Sequence, residues 1–168
     1  DLTESGVQEA LASVRVGHGP VGAFIYLHPR SGVRASLEDV LGSGERTRLS
    51  VPFLVAKLLQ PELVAAASSR RDEGATRACF LTVTALDGAM GLDGCGDSSP
   101  IAGGLAGLTK TLRLEWPDVY CRAVDLDPRL SFDRGADAIL SELLDPNRLL
   151  AEVGYGDHGR VTLELSRV

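Results

Sequence analysis

The sequence is poor in the residues that build metal sites, disulfide frameworks and basic surfaces. Its 168 residues include three cysteines and three histidines, with no CxxC pair and no HExxH motif. We therefore expect neither a zinc site nor a disulfide scaffold. Lysine and arginine total 17 against 23 aspartates and glutamates, a net charge of −6. Nucleic acids and anionic membranes both require a basic face, so neither is an expected partner.

Long apolar segments are also scarce. No uninterrupted apolar run approaches the ~20 residues of a membrane helix, and no signal peptide opens the chain. Together with the sparse cysteines, this predicts a cytoplasmic protein. Only Lys57 and Lys110 are lysines, and alanine, glycine, valine and leucine are abundant. That usage is typical of GC-rich bacterial genes.

What is present indicates one globular domain over residues 1–168. Hydrophobic residues make up 44% of the chain and charged residues 24%, which suits a folded domain of this length. Helical periodicity or cap signals predict helices after Asp1 or Thr3 and over 48–69, 100–115 and 132–144. Short apolar runs predict strands at 23–27, 78–84, 121–126, 152–155 and 160–165, with loops at 70–76 and 85–99 and a loop or frayed short helix at 29–46. This alternation predicts an α/β fold: a mostly parallel sheet with helices on both faces.

A GxGxxG pattern occurs at Gly17, Gly19 and Gly22. A dinucleotide site needs this loop after a strand and before a helix, so that the helix N-terminus faces the pyrophosphate. Here the loop follows a helix and precedes a strand. The pattern therefore predicts a turn.

A second glycine-rich segment follows the strand that ends at Thr84. It contains Gly88, Gly91, Gly94 and Gly96, and also Cys95. Loops at the carboxyl ends of parallel strands are where α/β sheets bind ligands, but no phosphate-binding lysine follows these glycines. We interpret the loop as a flexible crossover and Cys95 as an ordinary thiol.

The helix over 100–115 mixes leucines with small residues. Leu105, Leu108 and Leu112 share one face, and the glycines between them permit close approach of another backbone. Together with Trp116, these three leucines are our candidates for packing against a partner.

The segment GGLAGLTKTLRLEWPDVYCRAVDLDP, residues 103–128, resembles the ketoreductase regions of type I polyketide synthases and polyunsaturated-fatty-acid synthases. These regions belong to the short-chain dehydrogenase/reductase superfamily. The segment looks most like their structural, non-catalytic half. Four further segments, DLTESGVQEALASV, GPVGAFIYLHP, RACFLTVTALDGAMG and EVGYGDHGRVTLEL, fall in matching order. The resemblance implies a truncated Rossmann-like, three-layer fold.

The resemblance also implies a chemistry that this chain lacks. The superfamily reduces ketones with a Tyr-x-x-x-Lys pair and a serine. Lys110 stands where that lysine belongs, but Ala106 stands four residues before it. Thr82 or Thr84 replaces the serine, and the glycine-rich nucleotide loop is missing. We therefore assign no catalytic, cofactor-binding or metal-binding residue to this chain.

Three functional hypotheses follow. In the first, the chain is a structural subdomain in a biosynthetic synthase. Its partners are then a separate catalytic half, which binds NADPH and reduces β-ketoacyl groups on an acyl carrier, and neighbouring synthase domains. In the second, it is a fragment of an active reductase. In the third, it is a docking or ligand-binding module that uses the 85–99 loop and the small-residue helix face.

Overall fold

The computed structural model describes residues 3–29, 43–69, 77–93 and 100–164. Four helices and five strands lie in these ranges. In chain order they are α1 (Glu4–His18), β1 (Ala23–Leu27), α2 (Ser43–Ser69), β2 (Cys79–Thr84), α3 (Pro100–Glu115), β3 (Tyr120–Leu126), α4 (Phe132–Leu144), β4 (Glu152–Gly156) and β5 (Gly159–Val161).

The five strands form one sheet in the order β1-β2-β3-β4-β5. The first four are parallel, and β5 returns antiparallel to β4 through a tight hairpin. Every residue of β2 and β3 is buried, as expected of central strands in a parallel sheet with both faces covered. The predicted α/β fold with a mostly parallel sheet is confirmed.

Helices cover the two faces of the sheet unequally. On one face α1, α2 and α3 pack around Phe80 of β2 and Cys121 of β3. On the other face α4 packs over Val124, Leu126 and the alternate residues of β2. Three helices therefore lie on one side of the sheet and one on the other, among the described elements.

The cap residues explain where α1 begins and ends. The Thr3 hydroxyl accepts a hydrogen bond from the Gly6 N–H at 3.3 Å, as an N-cap does. At the other end Gly19, with φ of 82°, donates its N–H to the Arg15 carbonyl at 3.0 Å. The Gly17-x-Gly19 pattern is thus a helix end and turn, as predicted.

Several boundaries differ from the prediction. Helix α2 begins at Ser43, whereas the sequence predicts a long helix from residue 48, after a loop or frayed short helix over 29–46. Strand β5 has three residues, Gly159–Val161, and is shorter than the predicted 160–165. Residues 30–42, the predicted loop 70–76 and Cys95 lie outside the described residues.

Helix α2 also corrects the expectation about membrane-length segments. Its portion Thr47–Ser69 is long and apolar enough to cross a membrane by length and composition. Core helices of water-soluble proteins can pass the same test. In this fold Leu59 and Leu63 are fully buried against α1 and the sheet, and 28% of the apolar segment is buried in all.

Candidate functional site

A small cavity of about 160 Å³ lies beside the carboxyl ends of β2 and β3. Helix α3 forms one wall through Ala106 and Lys110, and the two strands contribute Thr84 and Asp125. This is the position at which α/β sheets bind ligands. The structure therefore brings together the residues that the sequence singled out as remnants of a reductase site.

The cavity lacks a proton donor of the expected kind. Ala106 occupies the position where the resemblance calls for a tyrosine, and the chain's three tyrosines do not line the cavity. The Tyr26 hydroxyl donates to the Arg48 carbonyl at 2.9 Å, and the Tyr155 hydroxyl donates to Glu142 at 2.5 Å. No phenol is thus placed to protonate a substrate in the cavity.

Lys110 has a carboxylate partner from the sheet. Its Nζ lies 3.0 Å from an Oε of Glu152, the first residue of β4. The Lys110 side chain is 46% exposed and that of Glu152 is 13% exposed. The ammonium group therefore bridges α3 to β4 across the mouth of the cavity.

The two threonines that replace the expected serine are both engaged within the chain. The Thr84 hydroxyl donates to Asp125 Oδ1 at 2.8 Å. The Thr82 hydroxyl lies 2.7 Å from the Thr109 hydroxyl, which in turn donates to the Leu105 carbonyl at 3.0 Å. Both hydroxyls are buried. That of Thr84 joins β2 to β3, and that of Thr82 joins β2 to α3.

Asp125, near the end of β3, holds the loop that follows β2. Its Oδ1 accepts the Leu86 N–H at 2.8 Å, and its Oδ2 accepts those of Gly88 at 2.8 Å and Met90 at 3.0 Å. The Asp87 N–H lies at 3.3 Å from the same Oδ2. With the Thr84 hydroxyl, both carboxylate oxygens are filled by donors of this chain.

Asp87 organises the same loop from within. Its carboxylate accepts backbone N–H groups from Ala89 and Gly91 at 2.8 Å and from Asp93 at 2.9 Å. Burial raises the pKa of the Asp87 carboxyl group, but the hydrogen bonds from these backbone donors lower it by more. The pKa of Asp87 is therefore below its ordinary value. Residues 85–93 are thus held by two carboxylates, which differs from the predicted flexible crossover; 94–99 lie outside the described residues.

Two glycines let this loop lie against β4. A Cβ atom built on Gly88, whose φ is 77°, would collide with the Tyr155 carbonyl oxygen. A Cβ built on Gly154 would collide with the Gly88 carbonyl oxygen. Backbone therefore packs directly on backbone, and the loop covers the carboxyl end of the sheet at β3 and β4.

The predicted partner-packing residues of α3 are mostly internal. Leu105, Leu112 and Trp116 are buried within this chain, and Trp116 packs edge-on against Phe80 at 6.0 Å between ring centroids. Half-buried Leu108 lines a groove of about 280 Å³ between α2 and α3, where Phe53 is 55% exposed.

Sequence reasoning missed a buried ionic network on the other face of the sheet. Arg122, fully buried in β3, pairs with Glu142 of α4 and lies 3.3 Å from Asp145. Arg160 of β5 contacts the same Glu142 at 2.6 Å. Burial, followed by the Glu142 carboxylate, raises the pKa of Tyr155 to about 12. In the sequence, the signal for this network is Arg122 in the middle of a strand that is otherwise mostly apolar.

Among the residues that the structure describes, no group of three or more histidine, cysteine, aspartate or glutamate side chains could hold a metal ion. The two described cysteines, Cys79 and Cys121, are buried and free. Burial raises the pKa of Cys121 to about 12, so its thiol stays protonated at neutral pH.

Comparison with known proteins supports the fold. A metagenomic short-chain oxidoreductase, crystallised in complex with NADP, matches with a TM-score of 0.58 at 17% identity, covering 90% of this chain and 69% of that chain. Ribose-5-phosphate isomerase from Brucella melitensis matches with a TM-score of 0.52 at 17% identity, covering 75% of this chain and 48% of that chain. No protein-family model and no curated protein matches the sequence. The chain thus has a Rossmann-like α/β fold similar to that of a short-chain oxidoreductase.

Proposed function

We propose that this chain is a catalytically silent structural subdomain of a synthase ketoreductase. In this proposal a separate catalytic half binds NADPH and reduces β-ketoacyl intermediates on an acyl carrier, and the chain described here supports that half by packing against it. The parent protein is a polyketide or polyunsaturated-fatty-acid synthase, as the resemblance of residues 103–128 implies.

The observation that carries the proposal is the pairing of Ala106 with Lys110 in the cavity wall. A ketone reductase of this kind needs a phenol that donates a proton and a lysine that lowers the pKa of that phenol. The phenol is missing at Ala106, and the lysine faces Glu152. The serine position offers Thr82 or Thr84; the Thr84 hydroxyl donates to Asp125, and the Thr82 hydroxyl contacts that of Thr109.

The loop over residues 85–93, which covers the carboxyl end of the sheet, also supports a catalytically silent role. A nucleotide cofactor in an open α/β sheet lies beyond the carboxyl ends of the strands, where backbone N–H groups face its phosphates. Here the N–H groups of residues 86–93 that face inward are bonded to Asp87 and Asp125. These donors are therefore committed to the chain's own carboxylates.

The test is a titration of the purified chain with NADPH, followed by nicotinamide fluorescence and by calorimetry. We expect no binding in the micromolar range and no reduction of a β-ketoacyl thioester. An Ala106→Tyr variant is the informative companion, because it restores the Tyr-x-x-x-Lys spacing without a nucleotide loop. We expect this variant to remain inactive. Micromolar binding of NADPH by the unmodified chain would overturn the proposal in favour of an active reductase fragment.

A further inference from the structure

A groove of about 300 Å³ lies at the amino end of β3, whereas the cavity described above lies beside the carboxyl ends of the strands. The last turn of α3 and the turn after it form one side of the groove, and the segment between α4 and β4 forms the other. This volume is at the small end of ligand pockets in proteins, which span about 300–1,000 Å³. The residues that line the groove all belong to the described ranges and include Arg113, Leu114, Pro117, Val119, Cys121 and Arg148.

Arg113 and Arg148 brace the two sides of this groove against each other. Arg113 Nη2 donates to the carbonyls of Arg148 and Leu149, both at 2.8 Å. Arg148 Nη2 donates to the carbonyls of Pro117 at 3.3 Å and Asp118 at 2.7 Å. Each guanidinium is therefore held in place by one of its nitrogens.

Both guanidiniums of the groove keep donors that no group in the described part of the chain accepts. A guanidinium has five N–H donors, and the contacts above use only those on Nη2, which leaves three on each arginine. Neither arginine forms an ion pair with a described carboxylate, although the chain has a net charge of −6. By contrast, Arg122 and Arg160 share the carboxylate of Glu142. The groove therefore has two fixed positive charges without counter-charges.

The surface between the two guanidiniums is apolar. Leu114 is 83% exposed at the end of α3, and Pro117 and Val119 line the groove in the turn that leads to β3. Burial raises the pKa of the Cys121 thiol, and the charges of both groove arginines lower it by less. The protonated thiol thus adds a neutral group to the lining, and both guanidiniums lie close enough to act on it.

We propose that this groove binds a small organic dicarboxylate, with one carboxylate on each of Arg113 and Arg148 and the apolar linker against Leu114. The guanidinium fork matches a carboxylate bidentately. Two cations on the two sides of one groove suit two anions joined by a body that fits between them. The inference goes beyond the proposed function and is independent of it, because the groove shares no lining residue with the cavity at the carboxyl ends of the strands.

The test is calorimetric titration of the 168-residue chain with straight-chain dicarboxylates from malonate to suberate. We expect saturable binding whose affinity peaks at one chain length, because both guanidiniums are held in place. The monomethyl ester of the best dicarboxylate should bind at least about 10-fold more weakly, since it lacks one charge-assisted pair. The absence of saturable binding below about 10 mM at every length would overturn the proposal. Binding of phenyl phosphate about 10-fold tighter than that of every dicarboxylate would also overturn it, because a phosphate would then be the preferred ligand.

A matched pair of arginine variants tests the two-point contact. Arg148→Gln removes one cation of the groove, and Arg134→Gln removes the same charge from an exposed position in the first turn of α4. Only Arg148→Gln should weaken dicarboxylate binding, by about 10-fold or more, whereas the monoester should lose no more than about 3-fold, since it needs only one arginine. Equal losses for the two ligands would contradict two-point binding and overturn the proposal.

A second pair of variants tests the groove without removing its bracing hydrogen bonds. Leu114→Asp places a carboxylate on the apolar wall, and Val16→Asp places one in the last turn of α1 at a residue that is 91% exposed. Both should keep the Tm within about 3 °C of the parent, since both side chains are already exposed. Only Leu114→Asp should weaken dicarboxylate binding, by about 10-fold or more, through like-charge repulsion. Unchanged affinity in Leu114→Asp would show that the ligand binds elsewhere and would overturn the proposal.

Discussion

Removal of the Asp125 carboxylate should release the loop over the sheet and destabilise the whole domain. Asp125 is 3% exposed and accepts four backbone N–H groups and the Thr84 hydroxyl. An Asp125→Ala variant leaves these donors without their acceptor. A buried donor that loses its partner costs about 1–3 kcal/mol.

The sum is smaller than four times that value, because water can reach part of the loop. Leu86 and Met90 are only half-buried, whereas Asp87 and Gly88 are buried. The Thr84 hydroxyl can donate instead to the Val124 carbonyl, 3.4 Å away. Counting the two buried N–H donors at about 1.5–2 kcal/mol each, and the two half-buried N–H donors at a few tenths each, gives a loss of about 3–5 kcal/mol in the free energy of unfolding. That is a large share of the ~5–15 kcal/mol available to a domain.

Equilibrium urea unfolding measures this loss, with Trp116 as the fluorescent probe. Trp116 is the chain's single tryptophan and is 3% exposed against Phe80, so its emission reports the core. Asp125→Asn keeps one acceptor oxygen and should lower the free energy of unfolding by about 2 kcal/mol. This variant keeps the prediction testable if the alanine variant fails to fold. Asp118→Asn, at an exposed position, is the control and should stay within about 0.5 kcal/mol of the parent. A loss below about 1 kcal/mol for Asp125→Ala would refute the role assigned to this carboxylate.

Two further predictions concern the same loop. Gly154→Ala should lower the free energy of unfolding by more than about 2 kcal/mol, because its Cβ would meet the Gly88 carbonyl. Gly107→Ala, in α3 with nothing within 4 Å of the new Cβ, should instead raise it by about 0.5–1 kcal/mol, and thermal unfolding compares the two. Acid should weaken the fold through Asp87, whose pKa is lowered in the folded state. Its contribution is complete above the ordinary aspartate pKa of about 4 and is lost as the pH falls from there through the lowered pKa. An Asp87→Asn variant should therefore show a flatter loss of stability below about pH 4 in urea titrations, and an unchanged acid limb would contradict the assignment.

The sequence predicted the sheet well because the central strands are buried on both faces. A strand covered on both sides must be apolar along its whole length, and the runs at 78–84 and 121–126 meet that requirement. Helix ends were also predictable where a local cap decides them, as with Thr3 and Gly19 at the two ends of α1. Such signals depend on residues three or four apart.

The start of α2 was not predictable in the same way. Residues 43–46 include serine and glycine, which are weak helix formers, and so the segment resembles a loop. Helix propensity is a weak prior that the continuation of a long buried helix overrides. The structure accordingly begins the helix at Ser43.

The α3 residues show a different limit. Leu105, Leu108 and Leu112 share one face by periodicity, and the sequence cannot tell whether that face meets the chain's own core or a partner. Trp116 raises the same ambiguity, since buried indoles occur in cores and at interfaces alike. Only the positions of Phe80 and α2 decide that most of these side chains are internal.

The loop after β2 shows why glycine content alone did not predict rigidity. Gly88 and Gly91 both have positive φ, so glycine serves the turns of an ordered segment there. The carboxylate that orders it, Asp125, lies 35–39 residues further along the chain. A contact over that distance follows from the pairing of β2 with β3, which no local pattern specifies.

The buried arginine of β3 explains how the β4–β5 hairpin is held to the rest of the sheet. Arg122 cannot stay charged inside the sheet without an anion, since an unpaired buried charge costs several kcal/mol. Glu142 meets that need from α4, and the same carboxylate contacts Arg160 and the Tyr155 hydroxyl of the β4–β5 hairpin. One buried charge therefore ties α4, β3 and the hairpin together and places Arg160 on the terminal strand.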